Sequence, residues 1–176
     1  MTAQIKKLHL GCGRKILPSW INLDFVPLPG VDVIADLDNC KNTKLPFEDN
    51  SIDEFLAVHV IEHLHNTLPF MQELHRIAKP DSKAVFKVPF GSSDDAFEDP
   101  THVKQYFINS FQYFSQPAYY RADYGYRGDW ITEKIYLLVE GERHQAETPE
   151  EIMWQVNTFR NIVKEMTVEL RAVKPI

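Results

Sequence analysis

The stretch LPFEDNSIDEFLAVHVIEHL, residues 45–64, decides the fold. Its centre, residues 52–60, is rich in β-branched and aromatic side chains, which predicts a largely buried strand. Apolar residues then recur at helical spacing over residues 67–79, where we predict a helix that ends at Pro80. A second apolar run, residues 83–89, follows directly. A strand, a helix and a strand in this order predict two parallel neighbours in one sheet.

The same alternation extends outward over the whole chain. Further strands are predicted at residues 5–10, 20–25, 31–37, 131–140 and 166–173, and helices at residues 109–115 and 148–163. The longer of these helices begins with Thr148, Pro149 and Glu151, which have the spacing of a capping box with proline at the first helical position. We therefore expect an α/β fold with a mostly parallel seven-stranded sheet, in a single domain spanning residues 1–176.

The composition limits the classes of function. The 176 residues carry 19 Lys and Arg against 25 Asp and Glu, a formal charge of −6, which argues against a nucleic-acid partner. No run approaches the roughly 20 apolar residues that span a bilayer, so we expect no membrane contact. Cys12 and Cys40 are the two cysteines, too few for a disulfide framework, which favours a reducing, cytoplasmic location.

Three turns follow successive predicted strands, at the edge where open α/β sheets bind ligands. Gly11 and Gly13 flank Cys12 in the first turn, where glycine lets the backbone approach a ligand closely. Asp24 ends the second strand and is suited to accept both hydroxyls of a ribose. Asp36 ends the third strand and offers a carboxylate to an adenine amino group. Each turn alone has an ordinary structural explanation, but their combination favours a nucleoside ligand.

The segment that runs from Asp36 through residues 45–64 to ELHRIAKPDSKAVFKVP, residues 73–89, strongly resembles class I S-adenosylmethionine-dependent methyltransferases of the small-molecule, type 11-like group. The resemblance covers about half of the chain, residues 8–89. It implies a Rossmann-like fold, S-adenosylmethionine as the cofactor, and methyl transfer as the activity.

The resemblance also implies roles for individual residues. The glycine turn would lie against the methionine part of the cofactor, the aspartate of the second strand would hold the ribose with an aromatic neighbour beside the adenine, and the third strand end would bracket the adenine. The end of the fourth strand would face both cofactor and acceptor. These cofactor-binding positions are Gly11, Cys12, Gly13, Asp24, Phe25, Asp36, Leu37 and His59.

Three features depart from the family pattern. His9 stands two residues before the first glycine, where the family has an acidic residue, and Lys15 stands at its third glycine position. The connection over residues 13–20 is also too short for the usual helix. These departures either weaken cofactor binding, or the loss is offset because Arg14 or Lys15 pairs with the cofactor carboxylate. A non-catalytic S-adenosylmethionine-binding or scaffold protein is therefore an alternative.

A competing motif overlaps the fourth strand. His59-Val60-Ile61-Glu62-His63 fits H-x-x-E-H, which on a helix would place two histidines on one face for Zn²⁺ with the glutamate as base. His59 ends a strand-like run, however, and a path from strand to turn does not give that helical geometry. We therefore expect no metal site. If zinc were bound, the third ligand would come from His65, His75 or His102.

The acceptor is expected to be a small molecule or a sugar, methylated on oxygen. The fourth strand lacks the Asn/Asp-Pro-Pro-aromatic motif of family members that methylate nucleic-acid or protein amide nitrogens. The D-P-T-H segment at residues 99–102 resembles segments of relatives that modify glycans or lipid-linked sugars. Holding an acceptor about 3–3.5 Å from the methyl group contributes roughly 7–11 kcal/mol. A hydroxyl acceptor also needs a base, for which His102 is the first candidate and His59 the second.

Aromatic residues crowd one part of the chain, where they either wall an acceptor pocket or, as we favour, pack in the core. They are Phe107, Phe111, Tyr113, Phe114, Tyr119, Tyr120, Tyr124, Tyr126 and Trp130. The connections after the first two strands are short and contain proline, so the helices of the first half are shortened and one sheet face is under-covered. The helix at residues 148–163, the aromatic segment or a second subunit, giving a homodimer, would cover it.

Overall fold

The sheet contains seven strands in the order β3-β2-β1-β4-β5-β7-β6. The computed structural model describes residues 5–116, 124–141 and 148–175. Strands β1 to β5 run parallel to one another, and β7 inserts antiparallel between β5 and β6. The α/β class and the mostly parallel seven-stranded sheet are confirmed. No helix in the described part of the chain is long and apolar enough to cross a membrane.

The strands are β1 Lys7–Leu10, β2 Ile21–Asp24, β3 Val33–Ile34, β4 Ile52–Val58, β5 Ala78–Pro89, β6 Trp130–Val139 and β7 Val163–Ala172. The α-helices are α1 Thr67–Ile77, α2 Asp95–Glu98 and α3 Pro149–Thr158. Short 3₁₀ helices occupy Leu37–Asn39, Ile61–His63 and Ser110–Phe114.

Helix α1 ends earlier than predicted. Ala78 leaves the helical conformation with ψ 137° and at once begins β5, so Pro80 lies inside the strand rather than ending the helix. The pairing of β4 with β5 is irregular at this point, between the partners of Ile52 and Glu54, which accommodates the early residues of β5. Residues 109–115 form a 3₁₀ rather than an α-helix.

Helix α3 has the predicted beginning but not the predicted length. Thr148 Oγ1 accepts the Glu151 N–H, and the Glu151 carboxylate accepts the Thr148 N–H, which completes the capping box. The helix ends at Thr158 instead of residue 163, and Val163 opens β7. The apolar spacing predicted a helix as far as Val163 because this residue is apolar and buried. It is buried as part of strand β7, which pairs with β6, and not on the helix.

One face of the sheet carries the main core. Phe55 on β4 meets the ring of Trp130 edge-on at 6.0 Å, and the Trp130 indole N–H donates to the carbonyl of Met71 in α1 at 3.1 Å. Phe86 on β5 lies between Phe70 of α1 and Phe111 of the 3₁₀ helix that precedes β6. Helix α1 and the aromatic segment therefore cover this face together.

The opposite face is half-exposed and charged. Lys7 pairs with Glu54 at 2.8 Å, Lys87 with Glu165 at 2.7 Å, and Lys134 approaches Glu169 at 3.9 Å. The prediction of an under-covered face is confirmed for the described residues. Charge pairs lie along this face beside half-buried apolar residues such as Leu56 and Val85.

The short connection between β1 and β2 is organised by one amide side chain. Asn22 accepts the N–H of Leu17 at 2.9 Å and donates to the carbonyls of Leu17 and Trp20, both at 3.1 Å. Its oxygen also lies 3.3 Å from Nδ1 of the buried His9. The buried His9 is thus part of the packing that holds this short loop.

Candidate functional site

The carboxyl ends of β1, β2, β3 and β4 surround a cleft of about 570 Å³, which we call the strand-end cleft. This volume lies in the range of small-molecule sites. Its lining is Gly11, Asp24, Phe25, Ala35, Asp36, Leu37, Asp38, His59, Val60, His63, Leu64 and Thr101. Six of the eight predicted cofactor-binding residues therefore meet at one cleft.

Asp24 and the glycine turn are tied together. The buried Asp24 carboxylate accepts the Gly13 N–H at 2.7 Å through one oxygen and the Val26 N–H at 3.0 Å through the other. Each oxygen keeps a further lone pair for another donor. Gly11 has φ +57°, and a Cβ there would lie 2.5 Å from a methyl group of Val60. The first and fourth strand ends therefore approach so closely that residue 11 must lack a side chain.

Cys12 and Gly13 are predicted cofactor residues that do not line the strand-end cleft. The Cys12 side chain is buried, and burial is the main cause that raises the pKa of its thiol. Gly13 contributes its N–H to Asp24 instead. Both residues therefore belong to the turn without lining the cleft.

The third strand end closes the other side of the cleft. Asp36 is exposed and caps the following 3₁₀ helix by accepting the Asp38 N–H at 2.9 Å, while the neighbouring Leu37 is buried. Phe25 leaves 70% of its surface exposed at the rim. An exposed aromatic ring facing an apolar wall is an arrangement that accommodates a planar ring system.

A second cleft, of about 460 Å³, adjoins the first and shares His59 and His63 with it. We call it the histidine cleft. Its lining is His59, His63, Pro89, Asp95, Glu98, Asp99 and His102. Both predicted base candidates, His59 and His102, lie here.

His59 stands where strand β4 turns away from the sheet. It follows Val58 directly, has φ +53°, and its N–H donates to the carbonyl of Lys87 at 2.8 Å. The ring Nε2 lies 2.9 Å from the carboxylate of Glu165, and Nδ1 lies 3.3 Å from that of Glu62. The Glu62 carboxylate, followed by Glu165, raises the pKa of His59 against the lowering effect of burial.

The loop after β5 delivers His102 to the same place. Its backbone is held by Glu62, whose carbonyl accepts the N–H of Val103 at 2.8 Å. Within the loop, the Thr101 hydroxyl bridges Asp99 at 2.6 Å and His63 Nδ1 at 2.9 Å. This bridge and a neighbouring backbone N–H hold the pKa of Asp99 below its usual value of 3.8.

The helical zinc signature is not formed. Residues 61–63 make a single 3₁₀ turn, and the left-handed His59 before it breaks any helical pairing with His63. His65 lies near Asp38, and the Nε2 of His75 bonds the carbonyl of Val173. Two of the three suggested additional ligands are thus engaged elsewhere.

Part of the aromatic segment packs in the core, as favoured, while Tyr124 and Tyr126 line a cavity beside α1. Phe111, Phe114, Tyr126 and Trp130 are buried, whereas Phe107 and Tyr124 are exposed. None of the described aromatic residues of this segment lines either cleft. Tyr119 and Tyr120 fall outside the described residues.

A larger cavity, of about 690 Å³, lies beside α1 and is lined by residues that include Cys40, Arg76 and Arg127. It contains none of the strand-end residues. We place the functional site at the strand ends because ligands of open α/β sheets bind at the carboxyl ends of the strands.

Sequence reasoning missed several residues of the site. Glu62 and His63 were considered only as part of a helical metal motif, and Asp99 and Thr101 only as neighbours of His102. Glu165 carried no signal, since it is 106 residues away from its partner His59. The D-P-T-H segment was the sequence feature that pointed to Asp99, Thr101 and His102.

Comparison with known proteins agrees with the geometry. Residues 8–86 match the family model described as a methyltransferase domain. No curated protein gives a significant match. Among solved structures, a SAM-dependent methyltransferase from Archaeoglobus fulgidus is 18% identical with a TM-score of 0.65, covering 96% of this chain and 86% of that one.

Two further structures show the same likeness. A methyltransferase dependent on S-adenosylmethionine from Mesorhizobium loti is 13% identical with a TM-score of 0.57, covering 96% of this chain and 91% of its own. The YcgJ protein from Bacillus subtilis is 12% identical with a TM-score of 0.61, covering 98% and 94%. At these identities the likeness shows the fold. The matched segment shows a methyltransferase domain over residues 8–86, just under half of the chain, and the chain as a whole has the fold of the S-adenosylmethionine-dependent methyltransferases.

Proposed function

We propose that this enzyme methylates a hydroxyl oxygen of a small molecule or saccharide. The observation that carries the proposal is the contact between two clefts: one is formed by the strand ends, the other is lined by histidines and carboxylates, and His59 and His63 belong to both. A cofactor in the first cleft and an acceptor in the second would meet at this shared wall.

The strand-end cleft fits the cofactor that the family uses. Asp24 is buried and holds spare lone pairs for the two hydroxyls of a ribose, and the absence of a side chain at Gly11 leaves its backbone open to the cofactor. Phe25 and Leu37 would enclose the adenine, with Asp36 beside its amino group. Bound S-adenosylmethionine supplies a methyl group on a positively charged sulfur. Through these roles the chain holds and orients the cofactor.

The histidine cleft suits an acceptor with several hydroxyl groups. Asp95, Glu98 and Asp99 line it, and carboxylate oxygens accept hydrogen bonds from hydroxyls in two directions each. This acidic lining supports a saccharide or another polyhydroxylated small molecule over an anionic acceptor, which the carboxylates would repel.

The contacts favour His59 over His102 as the base. Glu165, itself paired with Lys87 at 2.7 Å, lies 2.9 Å from Nε2 of His59, and Glu62 lies 3.3 Å from Nδ1, so that two carboxylates orient the ring and stabilise a proton that it takes up. The corresponding carboxylate for His102, that of Asp99, is 3.9 Å away. His59 is therefore the better oriented of the two.

The first test separates cofactor binding from folding. Asp24→Asn keeps the shape of the side chain but removes the charge, and we expect it to weaken S-adenosylmethionine and S-adenosylhomocysteine binding in calorimetry by about 1.5–3 kcal/mol, that is by roughly 10- to 150-fold. Asp81→Asn is the matched control, because Asp81 is exposed and lines neither cleft. Equal affinities of the two variants would contradict the placement of the ribose.

The second test concerns the reaction. With a panel of sugars and small alcohols, we expect methyl transfer by the unmodified enzyme and a decrease in kcat of about 10²–10⁴-fold for His59→Gln, measured at saturating cofactor. Cofactor binding without transfer to any hydroxyl would count against the proposal and favour a non-catalytic binding protein.

A further inference from the structure

Glu62 is a buried carboxylate with no hydrogen bond. Its side chain is 2% exposed, and neither oxygen accepts a hydrogen bond from any residue that the structure describes. His59 Nδ1 forms an ion pair with one of these oxygens at 3.3 Å, and the other oxygen has no hydrogen-bond partner among the described residues. A buried charge in a native protein is normally paired, hydrogen-bonded or bound to a metal ion, because leaving it alone is strongly unfavourable.

His102 presents a second unsatisfied atom beside it. Its side chain is 8% exposed, and its Nδ1 is buried without a hydrogen-bond partner among the described residues. The His102 ring centroid lies 4.7 Å from that of His63. Nδ1 of His63 is engaged by the Thr101 hydroxyl, which leaves Nε2 as its open nitrogen. One potential ligand atom from each of Glu62, His63 and His102 lies within 4.8 Å of the other two.

We propose that Glu62, His63 and His102 bind one divalent transition-metal ion, such as Zn²⁺, at the wall between the two clefts. Two imidazoles and one carboxylate form a donor set that such ions accept, and it leaves coordination positions open. Ligand bonds are roughly 2.0–2.2 Å long, so side-chain rotations would have to bring the three atoms closer together.

The surroundings resemble those of metal ligands. In a metal-bound histidine, the second ring nitrogen usually donates a hydrogen bond to a neighbouring oxygen atom, such as that of a carbonyl or a carboxylate. His63 does so toward Thr101, and Nε2 of His102 faces Asp99 at 3.9 Å. The donor set differs from the helical H-x-x-E-H arrangement, because His59 is replaced by a histidine from the loop after β5.

The role of the ion rests on the proposed function. An acceptor hydroxyl bound at an open position of the ion is polarised, so that its O–H bond breaks more readily. The electron pair would stay on the oxygen, and the proton would pass to the ring of His59, which two carboxylates orient. His102 would then be a metal ligand rather than the base.

Metal binding can be measured without any acceptor. The full chain, prepared without a polyhistidine tag and stripped with a chelator, is titrated with ZnCl₂ in a calorimeter. We expect one ion per chain, and an affinity lower by about 100-fold or more in Glu62→Gln and in His102→Asn. His65→Asn is the matched control, because His65 is exposed and outside the cluster, and it should bind as the unmodified chain does.

Thermal unfolding gives an independent readout. Zn²⁺ should raise the Tm of the unmodified chain but not that of Glu62→Gln. No zinc binding by the unmodified chain, or equal binding by all variants, would overturn the inference. Failure of S-adenosylmethionine binding alone would instead refute the proposed function and leave the metal site standing.

Discussion

Gly11 must lack a side chain for two separate reasons. Its φ of +57° is left-handed, and a Cβ would lie 2.5 Å from Val60. Gly13 has a similar φ of +51°, yet nothing lies within 4 Å of its Cβ position. The two glycines therefore separate the effect of backbone conformation from that of close packing.

We predict that Gly11→Ala lowers the free energy of unfolding more than Gly13→Ala does. The left-handed conformation alone costs an alanine about 1–2 kcal/mol, which both variants share. The overlap with Val60 should add about 1–3 kcal/mol at position 11 only. Urea denaturation measures both values, and the double variant Gly11→Ala with Val60→Ala should recover part of the added loss. Equal losses for the two single variants would show that the strand ends are not in contact.

At the same scale, sequence patterns located some site residues and not others. Asp24 and Gly11 were predictable because each stands at the end of a strand, where position along the chain fixes position in the sheet. Glu165 and Thr101 were not, since their roles depend on which strands become neighbours and on how one loop docks on Glu62. Such contacts have no local signature.

Helix α1 is joined to the sheet through one histidine near its end. His75 is buried, its Nε2 lies 3.0 Å from the carbonyl of Val173, and its ring meets Trp130 edge-on at 5.9 Å. Burial is the main cause that lowers the pKa of His75 below 6.5, and Lys174 adds to it, while the bond to Val173 and the charge of Asp129 oppose it. The neutral ring is thus the form that connects α1 to the residues that follow β7.

We predict that this contact weakens in mild acid. Because the folded pKa of His75 is lower than the unfolded value of 6.5, the unfolded chain takes up the proton first as the pH falls. The stabilisation is therefore fully present above that value and is lost progressively below it. His75→Gln keeps a donor but does not titrate, so its Tm should decrease less than that of the unmodified chain between about pH 7.5 and about pH 5.5.

The exposed His65 provides the comparison for this experiment. His65→Gln should retain the pH dependence of the unmodified chain, because its side chain is largely exposed. If His75→Gln and the unmodified chain lose stability in parallel, the acid sensitivity arises elsewhere.

Elements defined by local chemistry were predicted more accurately than those defined by pairing. The capping box fixed the beginning of α3, because Thr148 and Glu151 act within one turn. Its end was placed too late, since strand pairing takes over at Val163. Strand β3 covers two residues instead of the predicted seven, because only Val33 and Ile34 pair with β2.

For the molecule as a whole, the charged sheet face bears on assembly. A second subunit on this face would have to remove the pairs of Lys7 with Glu54 and of Lys87 with Glu165 from water, which is unfavourable without new partners. We therefore predict a monomer in solution, measured by multi-angle light scattering. A dimer that is disrupted by Lys134→Glu, a substitution on the same face, would contradict this prediction.

The position of β7 has a consequence for synthesis on the ribosome. This strand follows both of its neighbours in the chain, so β5 and β6 emerge before the segment that joins them and present unsatisfied edges to other nascent chains. Glu165 arrives with β7 as well. The strand-end cleft of β1 to β4 can therefore form early, whereas His59 gains its contact with Glu165 only when β7 pairs between β5 and β6, so the wall shared by the two clefts is complete only when the sheet is complete.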